Sequence, residues 1–434
     1  MSRVRVLAAL VFVGLILAGL ARPHAAQAQF RGQKPEIIRL NERVYCATGY
    51  ALGNVIFIVT DDSLVVVDTT ESPLVAGEVL GAFRKISRLP ISHVIYTHFH
   101  GDHVNGSRIF KEKKTKIIAQ KLLLTEGDKY ALVRFYNRRV NAAQFGTELK
   151  PDEREVELAL DPRFPIIGYV EPDITFDDEY VFEQGGVRIE LYHAPGETHD
   201  HLFVWLPQSE TLMPGDLFYN SFPMLASPLK PDRPVDLWAK SIERMRALGP
   251  AYLAPSHLAP LSGRDQINAM LGNYARAIRI VHDKTIAGLE DGLPLEEIRR
   301  QVKLPPELAE LPYLAQLYGR IPWAVNGIYR QYTGWYDFNP AHLNPGPTDE
   351  LHKAILEAAG GASPLLERAR LALEGDQTQL ALELTDIILG AEPKHREAHA
   401  LRAAALTELA DDSQNAVERN IYKSAAAEHQ SQAD

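Results

Sequence analysis

The sequence has only one cysteine and no cluster of basic residues. The first feature excludes an internal disulfide bond, and the second argues against anionic partners. Cys46 has no second cysteine to pair with, so an internal disulfide bond is excluded. It stands beside Tyr45 in an apolar run, where we expect a small core residue rather than a nucleophile. The formal charge is −10. An acidic chain without a basic cluster argues against nucleic acid or an anionic membrane as its partner.

Residues 1–28 have the composition of a secretory signal. Arg3 and Arg5 form a charged start, 6–20 is an apolar run that is short for a membrane span, and Ala-Gln-Ala at 26–28 fits a cleavage site. The segment holds three arginines and no acids, so removing it takes the formal charge from −10 to −13. We therefore expect a mature chain in the periplasm or outside the cell. An uncleaved membrane anchor is the alternative.

The pattern of apolar residues divides the rest of the chain into two parts. A length of 434 residues with 46% hydrophobic content supports two or three domains. Short β-branched runs over 36–70, followed by helices alternating with strands, predict a layered α/β core for 29–265. Strand patterns then stop, and the periodicity of 266–430 predicts an all-α domain.

One helix-turn-helix repeat of the tetratricopeptide type is predicted at 366–409, with Pro393 at the turn between its helices. A single copy leaves an apolar face uncovered. That face packs either on its own domain or against a second subunit, and the sequence leaves both open.

The stretch THFHGDH at 97–103 concentrates metal-binding side chains. His98, His100, Asp102 and His103 follow the apolar run 91–97, which reads as a buried strand. Ligands two residues apart at a strand end face the same way, and a following loop turns the next pair toward a neighbouring point. This arrangement suits two metal ions. Imidazole with carboxylate favours zinc over magnesium or calcium, with iron and manganese as alternatives.

The pattern T-H-x-H-x-D-H resembles the signature of the metallo-β-lactamase superfamily, which implies an αββα sandwich. That superfamily also has T-P-G-H-T-x-G-H, where the first histidine binds metal. The matching stretch here is APGETHDH at 194–201, with Glu197 in the ligand position. A carboxylate is an acceptable ligand, so we predict Glu197, with His199 and His201 as alternatives. If they are not ligands, the two histidines are expected either to support the ligands from behind or to contact substrate, and we assign His201 to the substrate.

Two further residues at the ends of apolar runs complete the predicted site. Asp216 in MPGDLF can bridge two metals, and His257 follows YLAPS. We predict that one metal is held by His98, His100 and Glu197. A second is held by Asp102, His103 and His257, and Asp216 lies between the two metals. Such a pair activates a water, which Asp102 can orient. No Ser/His/Asp order, cysteine nucleophile or Gly-rich phosphate loop competes with this interpretation.

Longer segments resemble the alkylsulfatase branch of this superfamily, whose members hydrolyse alkyl sulfates such as dodecyl sulfate. They are RRVNAAQFGT (138–147), LYGRIPWAVNGIYRQYTGWYDFNPAHL (317–343) and SQNAVERNIYKSAA (413–426). Glutamate at position 197 is typical of that branch. The resemblance implies a zinc-dependent hydrolase that forms a homodimer through its C-terminal helices.

The sequence departs from that branch in two places. It ends at residue 434, before the sterol-carrier-like domain that family members usually carry. Leu229 also stands where the family has a sulfate-contacting arginine, so Lys230 or Arg233 is expected to supply the positive charge.

Three hypotheses follow from these residues. The first is hydrolysis of small anionic alkyl sulfate esters to alcohol and sulfate. The second keeps the metal site but acts as a lactonase, β-lactamase or phosphodiesterase, because the region of Leu229 is altered. The third is a non-catalytic helical binding module with structural metal.

Overall fold

The computed structural model describes residues 33–155 and 168–434. The predicted secretory signal at 1–28 lies outside the described residues, and its cleavage remains a prediction. No helix in the described part of the chain combines the length and apolar character needed to cross a membrane.

The first half of the chain forms two sheets. The first has seven strands in sequence order, antiparallel from β1 to β4 and parallel from β4 to β7. These strands are β1 Glu36–Arg39, β2 Val44–Thr48, β3 Val55–Val59, β4 Leu64–Val67, β5 Ile91–Ile95, β6 Lys116–Gln120 and β7 Ile174–Phe176.

The second sheet has six strands in the order β13-β12-β11-β10-β9-β8, and all its pairs are antiparallel except β11 with β12. These are β8 Glu179–Gln184, β9 Val187–His193, β10 Leu202–Leu206, β11 Thr211–Met213, β12 Tyr252–Leu253 and β13 Leu261–Ser262.

Apolar side chains from the inner faces of the two sheets form one shared core. Ile56, Val65 and Ile95 of the first sheet pack with Ile189 and Val204 of the second. Cys46 on β2 belongs to this core, and burial raises the pKa of its thiol to about 12. The thiol therefore stays protonated, as expected for a core residue.

Helices cover both outer faces of this pair of sheets. Near the first sheet lie α1 Pro73–Phe83, α2 Gly101–Val104, α3 Ser107–Phe110, α4 Leu122–Leu132 and α5 Arg134–Phe145. The second is covered by α6 Val235–Ala247 and α7 Arg264–Glu290. Phe57 and Phe83 stack across the first interface at 3.8 Å between ring centroids, and Trp238 and Tyr274 are buried at the second. The αββα sandwich predicted from the sequence is confirmed.

The remaining elements are helical. They are α8 Leu295–Gln301, α9 Pro306–Ala309, α10 Ile321–Tyr332, α11 Thr348–Ala358, α12 Ala362–Glu374, α13 Thr378–Ala391, α14 Arg396–Asp412 and α15 Ala416–Ala433. The predicted domain boundary at 265/266 falls in the first turn of α7. The core continues across it, because Ile267 and Leu271 pack in the same cluster as Phe218 and Trp238.

The predicted repeat at 366–409 spans three helices, α12 to α14, with Pro393 between α13 and α14. The C-terminal helix α15 packs on α5 of the same chain. Asn420 on α15 donates to the carbonyl of Gln144 and accepts from the backbone N–H of Glu155. The C-terminal helices are therefore hydrogen-bonded to the sandwich domain at residues 144–155.

Candidate metal centre

The predicted metal ligands all lie in segments that follow strands, at one edge of the sandwich. His98 and His100 follow β5, and the next turn forms α2 with Asp102 and His103. On the second sheet, the ligand-type residues follow β9, β11 and β12 and are Glu197, Asp216 and His257. Chain segments that are far apart in sequence meet there because β5, β11 and β12 end at the same edge.

The first predicted ligand group is compact. His98 Nε2 and His100 Nδ1 lie 2.8 Å apart, and His100 Nδ1 is 3.7 Å from Glu197 Oε1. His98 Nε2 lies 4.0 Å from Asp216 Oδ2. One metal ion between these atoms would touch both rings and a carboxylate.

The second group lies on the other side of Asp216. Asp102 Oδ2 is 3.5 Å from His103 Nε2 and 3.6 Å from His257 Nε2. Asp216 Oδ2 is 3.4 Å from His103 Nε2 and 3.1 Å from His257 Nε2. Since the same oxygen also approaches His98, Asp216 lies between the two groups.

Two further observations fit metal binding at this place. His103 Nε2 and Asp216 Oδ1 are buried and have no hydrogen-bond partner, although buried polar atoms are normally bonded. The tightest clusters are His98–His103–Asp216 and Asp102–His103–His257. His103 belongs to both, so distance alone does not divide the ligands into two sets. The donors are imidazole nitrogens and carboxylate oxygens, which suit zinc, iron or manganese.

The electrostatics of the centre favour positive charge between its carboxylates. Burial alone would lower the pKa of His103 and His257. The carboxylates of Asp216 and Asp102 outweigh burial, so that the pKa of His103 is raised well above its ordinary value and that of His257 to about 9. The pKa of Asp216 is correspondingly held well below its usual range, against burial, by His257 and His103. The carboxylates of Asp102 and Asp216 therefore favour a positively charged group at this position.

The other ligand group has the opposite character. Burial and the neighbouring rings of His103 and His100 hold the pKa of His98 well below its ordinary value. Burial is also the main cause that lowers the pKa of His100 to about 3. Burial raises the pKa of Glu197 to about 8. These two histidines are therefore neutral, which is the state that binds metal.

Asp68 supports the ligands and was not predicted as a site residue. It directly follows β4, is completely buried and has a φ of 57°. Its Oδ2 accepts from His103 Nδ1 at 2.8 Å and from Ser256 Oγ at 2.7 Å, and its Oδ1 accepts from the N–H of Thr97 at 2.9 Å. A carboxylate behind a ligating histidine fixes the ring and increases its basicity. The available signal was an aspartate at the carboxyl end of a buried strand beside β5.

Two of the three predicted substrate contacts are engaged by groups of the protein itself. Arg233 is buried, and its Nη1 donates to Glu197 Oε2 and to the carbonyl of Met224 at 2.8 Å. The guanidinium is thus engaged by protein groups, one of which is the carboxylate of the predicted ligand Glu197. His201 is completely buried, and its Nε2 accepts the N–H of Asp216 at 3.0 Å. It thus holds the loop of Asp216 and does not face a substrate.

That loop depends on a glycine. Gly215 has a φ of 58°, and a Cβ there would lie 2.5 Å from Cε1 of His201. A side chain at position 215 would push His201 away from the Asp216 amide. His199, the other alternative to Glu197, is exposed, and its carbonyl accepts from His193 Nε2. Of the residues considered for this ligand position, only Glu197 faces His100.

Lys230 is the predicted substrate contact that remains near the opening of the centre. Its Nζ donates to Asn141 Oδ1 and lies 5.6 Å from the centroid of the Tyr130 ring. Burial, followed by the nearby charge of Arg233, lowers the pKa of Lys230 to about 8. The ammonium also contributes to the lowered pKa of His100, so the two groups are close enough to interact.

Comparisons with known proteins agree with this architecture. Residues 49–257 match the metallo-beta-lactamase superfamily, and residues 295–432 match the alkyl sulfatase dimerisation family. A linear primary-alkylsulfatase of a Pseudomonas species is 31% identical over 384 residues, which cover 85% of this chain and 72% of the relative. An alkyl/aryl-sulfatase of Saccharomyces cerevisiae is 28% identical, and the match covers 90% of this chain and 63% of the relative.

A solved structure extends the likeness to the helical half. The stereoselective inverting sec-alkylsulfatase of a Pseudomonas species superimposes with a TM-score of 0.83 at 26% identity, over 91% of this chain and 66% of that one. An (R)-specific secondary-alkylsulfatase of Pseudomonas is 28% identical, and the chain spans 61% of its length. The chain is thus shorter than the relatives it matches.

A two-sheet sandwich that gathers histidines and carboxylates at one edge defines the metallo-β-lactamase class of proteins. Within that class, the chain belongs to the alkylsulfatase family, because a relative with 31% identity is matched over 72% of its length. The family prediction from the sequence is therefore confirmed.

Proposed function

We propose that this protein is a metal-dependent hydrolase that cleaves alkyl sulfate esters to an alcohol and sulfate. The observation that carries the proposal is the position of Asp216, whose Oδ2 lies 3.1–4.0 Å from His257, His103 and His98. One carboxylate shared by two histidine groups supports two metal ions rather than one. The three relatives described above, which match 85–90% of this chain, are all named as alkylsulfatases or alkyl/aryl-sulfatases, and this supports the substrate class.

The residues would hold two ions in the arrangement predicted from the sequence. Zinc is the metal that this donor set favours. His98, His100 and Glu197 would bind one ion, Asp102, His103 and His257 the other, and Asp216 would bridge them. Bound metal supplies a Lewis acid for the ester and a water acidic enough to lose its proton near neutral pH.

The side of the centre that faces solvent is formed by His100 and Asp102. Each of these side chains is 22% exposed, compared with 7% for Asp216 and 6% for Glu197. Asp102 is therefore the carboxylate best placed to orient an attacking water and to receive its proton. The deeper carboxylates of Asp216 and Glu197 would hold the ions from the buried side of the centre.

Lys230 supplies the positive charge expected for a sulfate ester. Tyr130 and Asn141 fix its side chain beside the solvent-facing ligands. An ammonium in partly buried surroundings attracts an anion more strongly than one in water, because the screening is weaker. Its ammonium acts as a point charge and cannot form the bidentate hydrogen bonds of an arginine.

We also propose that the protein acts as a homodimer in the periplasm or outside the cell. The match of residues 295–432 to a dimerisation family supports the dimer. The composition of residues 1–28 supports the location. Exposed apolar side chains at Tyr332, Trp335 and Phe338 provide a surface for subunit contact in that helical region.

The deciding experiment is sulfate release from dodecyl sulfate by the zinc-loaded mature protein. We expect release that stops when a chelator removes the metal, and a His98→Ala variant that loses metal and turnover together. Unchanged turnover in metal-free His98→Ala protein would refute the mechanism. Hydrolysis of a lactone or β-lactam by protein that holds two metals, without sulfate release, would move the assignment to another ester or amide.

A further inference from the structure

Four large apolar side chains are exposed side by side where α4 meets α5. Leu132 is 85% exposed, Val133 52%, Phe135 68% and Tyr136 57%. We call residues 132–139 the α4–α5 corner. Helix α5 buries Asn137 and Val140 on its inner side, so the exposed aromatic rings are not displaced core residues. Contiguous apolar surface of this kind marks an interaction site.

Arginines surround these apolar side chains. The guanidinium of Arg134 lies 5.0 Å from the centroid of the Phe135 ring, and that of Arg138 lies 5.8 Å from it. Arg139 is also exposed. Within the described residues, none of the three is paired with a carboxylate. The sequence from 129 to 147 contains no acid, so the net charge of −10 conceals a local cationic patch that the sequence analysis did not recognise.

Both ends of the α4–α5 corner are attached to the metal centre. Tyr130, two residues before it, packs against Phe99 at 5.7 Å between ring centroids, and Phe99 contacts the ring of His100 at 4.8 Å. Asn141, two residues after it, bonds to Lys230 and donates to the Tyr130 hydroxyl. Two residues span at most about 7 Å of chain. The corner therefore lies at the rim of the opening formed by the solvent-facing ligands.

We propose that the α4–α5 corner docks the enzyme onto micelles of its alkyl sulfate substrate. The arginines would pair with sulfate head groups at the micelle surface, while Leu132, Phe135 and Tyr136 would enter the hydrocarbon layer. Aromatic and apolar side chains next to cations are the composition that binds an anionic amphiphile interface. This inference rests on the proposed function, and it adds the physical state in which the substrate is captured.

A second copy of the chain is the competing occupant. The dimerisation family matches residues 295–432, which exclude the α4–α5 corner. That region has exposed aromatic residues of its own, with Trp335 at 74% and Phe338 at 83%. Those residues are accompanied by Asp337 rather than by a group of arginines. In a two-fold contact through this corner, the arginines of one copy would face those of the other, so its charge favours an anionic micelle over the same corner of a second copy.

The first arm of the test measures binding without turnover. Metal-loaded full-length protein is titrated with micelles of dodecyl sulfonate, which has no ester oxygen to cleave, and bound protein is measured by sedimentation. We expect Leu132→Ser/Phe135→Ser to weaken binding by about tenfold, a modest loss for two apolar contacts. Leu74→Ser/Ile86→Ser, which changes two exposed apolar residues on and after α1, is the matched control and should bind as the unchanged protein does.

The charge of the corner is tested in the same arm. Arg134→Gln/Arg138→Gln should weaken binding to dodecyl sulfonate and reduce its dependence on salt, because exposed charges are screened over about 10 Å at 0.1 M salt. Micelles of dodecyl maltoside, whose head group is neutral, should bind weakly to every variant.

The second arm compares substrates. For Leu132→Ser/Phe135→Ser we expect kcat/KM on micellar dodecyl sulfate to fall by about tenfold through KM, while turnover of monomeric hexyl sulfate is retained. If no alkyl sulfate is hydrolysed by any protein, the proposed function fails while the binding arm still tests the docking surface.

Three results would overturn the docking proposal. One is unchanged binding of dodecyl sulfonate micelles by the corner variant. Another is conversion of a dimer to a monomer with micelle binding intact, which would make the corner a subunit contact. The third is binding to vesicles of anionic phospholipid without binding to micelles, which would identify a membrane surface as the partner.

Discussion

The protein contains two groups of histidines whose neighbouring charged residues differ in sign. At the metal centre, His103 faces the carboxylates of Asp68, Asp102 and Asp216, and its pKa is raised despite burial. In the helical half, His399 and His429 face each other and Arg402, and the pKa of His429 is lowered, first by burial and then by Arg402. Burial alone therefore does not make a histidine group a metal site.

The hydrogen-bond partners of His399 and His429 determine which of their ring nitrogens carry protons. His399 Nε2 lies 3.0 Å from the carbonyl of Pro393, which can only accept, so this nitrogen carries a proton. Arg402 Nε donates to His429 Nε2 at 3.0 Å. His429 Nδ1 must then donate to His399 Nδ1, 2.7 Å away. All four ring nitrogens are used within the protein, whereas His103 Nε2 at the metal centre has no partner.

The strongest test of this contrast removes the bridging carboxylate. Asp216→Asn should release metal and lower turnover by about 10³-fold, more than the 10–100-fold typical of a residue behind a ligand. Metal content by elemental analysis and sulfate release are measured on the same sample. Asp200→Asn is the control, because burial raises the pKa of Asp200 to about 7 and an amide resembles its neutral form. Full metal content in Asp216→Asn would contradict the bridging role.

Changing the residue behind His103 should have a smaller effect. Asp68→Asn keeps the shape but removes the charge that fixes the His103 ring, so we expect metal affinity to fall by about 10–100-fold. The measurement is a competition titration against a fluorescent zinc chelator. Ser256→Ala removes only one of the hydrogen bonds to Asp68 and should cost less. Equal losses in the two variants would mean that packing, rather than charge, fixes the ring.

Arg233 and Lys230 allow a matched comparison of positioning with substrate binding. Arg233→Gln should lower metal affinity by about tenfold, because Glu197 loses its charged hydrogen-bond partner. Lys230→Gln should keep its metal and raise KM for sulfate esters by about tenfold, since it removes a partly buried cation from the opening. Metal titration and steady-state kinetics on both variants separate these roles. A raised KM with normal metal affinity in Arg233→Gln would restore it as a substrate contact.

The candidate metal ligands could be identified from the sequence because their residue types are unusual at strand ends. Three histidines and an aspartate at 98–103 identify a metal site from the local sequence alone, and Asp216 and His257 follow apolar runs. The fold followed from the same alternation of apolar runs and turns. These signals are short-range, so a sequence pattern can carry them.

The supporting residues were not predictable in the same way, because their roles depend on contacts between distant segments. Asp68 bonds to Ser256, 188 positions away, and Arg233 bonds to Glu197 from a different loop. Sequence reasoning assigned Arg233 and His201 to the substrate because charged residues near ligands look available. In the structure, the guanidinium of Arg233 and Nε2 of His201 are already hydrogen-bonded to groups of the protein. The α4–α5 corner was missed because exposure of Phe135 cannot be read from its neighbours in sequence.

The smallest expected effect concerns the histidine pair of the helical half. The pKa of His429 is lowered in the folded protein, so its contribution to stability is present above the ordinary value of 6.5 and is lost as the pH falls below it. A second proton on His429 would sit on Nε2 and face the N–H of Arg402 Nε. Asp386 and Glu428 offset only part of the added positive charge. Because His429 is partly exposed, we expect a loss of only about 1–2 °C in melting temperature between pH 7 and pH 5.5 beyond that of His429→Gln. Calorimetry of metal-loaded protein at both pH values checks this, and identical pH dependence in the two proteins would show that the pair does not sense protons.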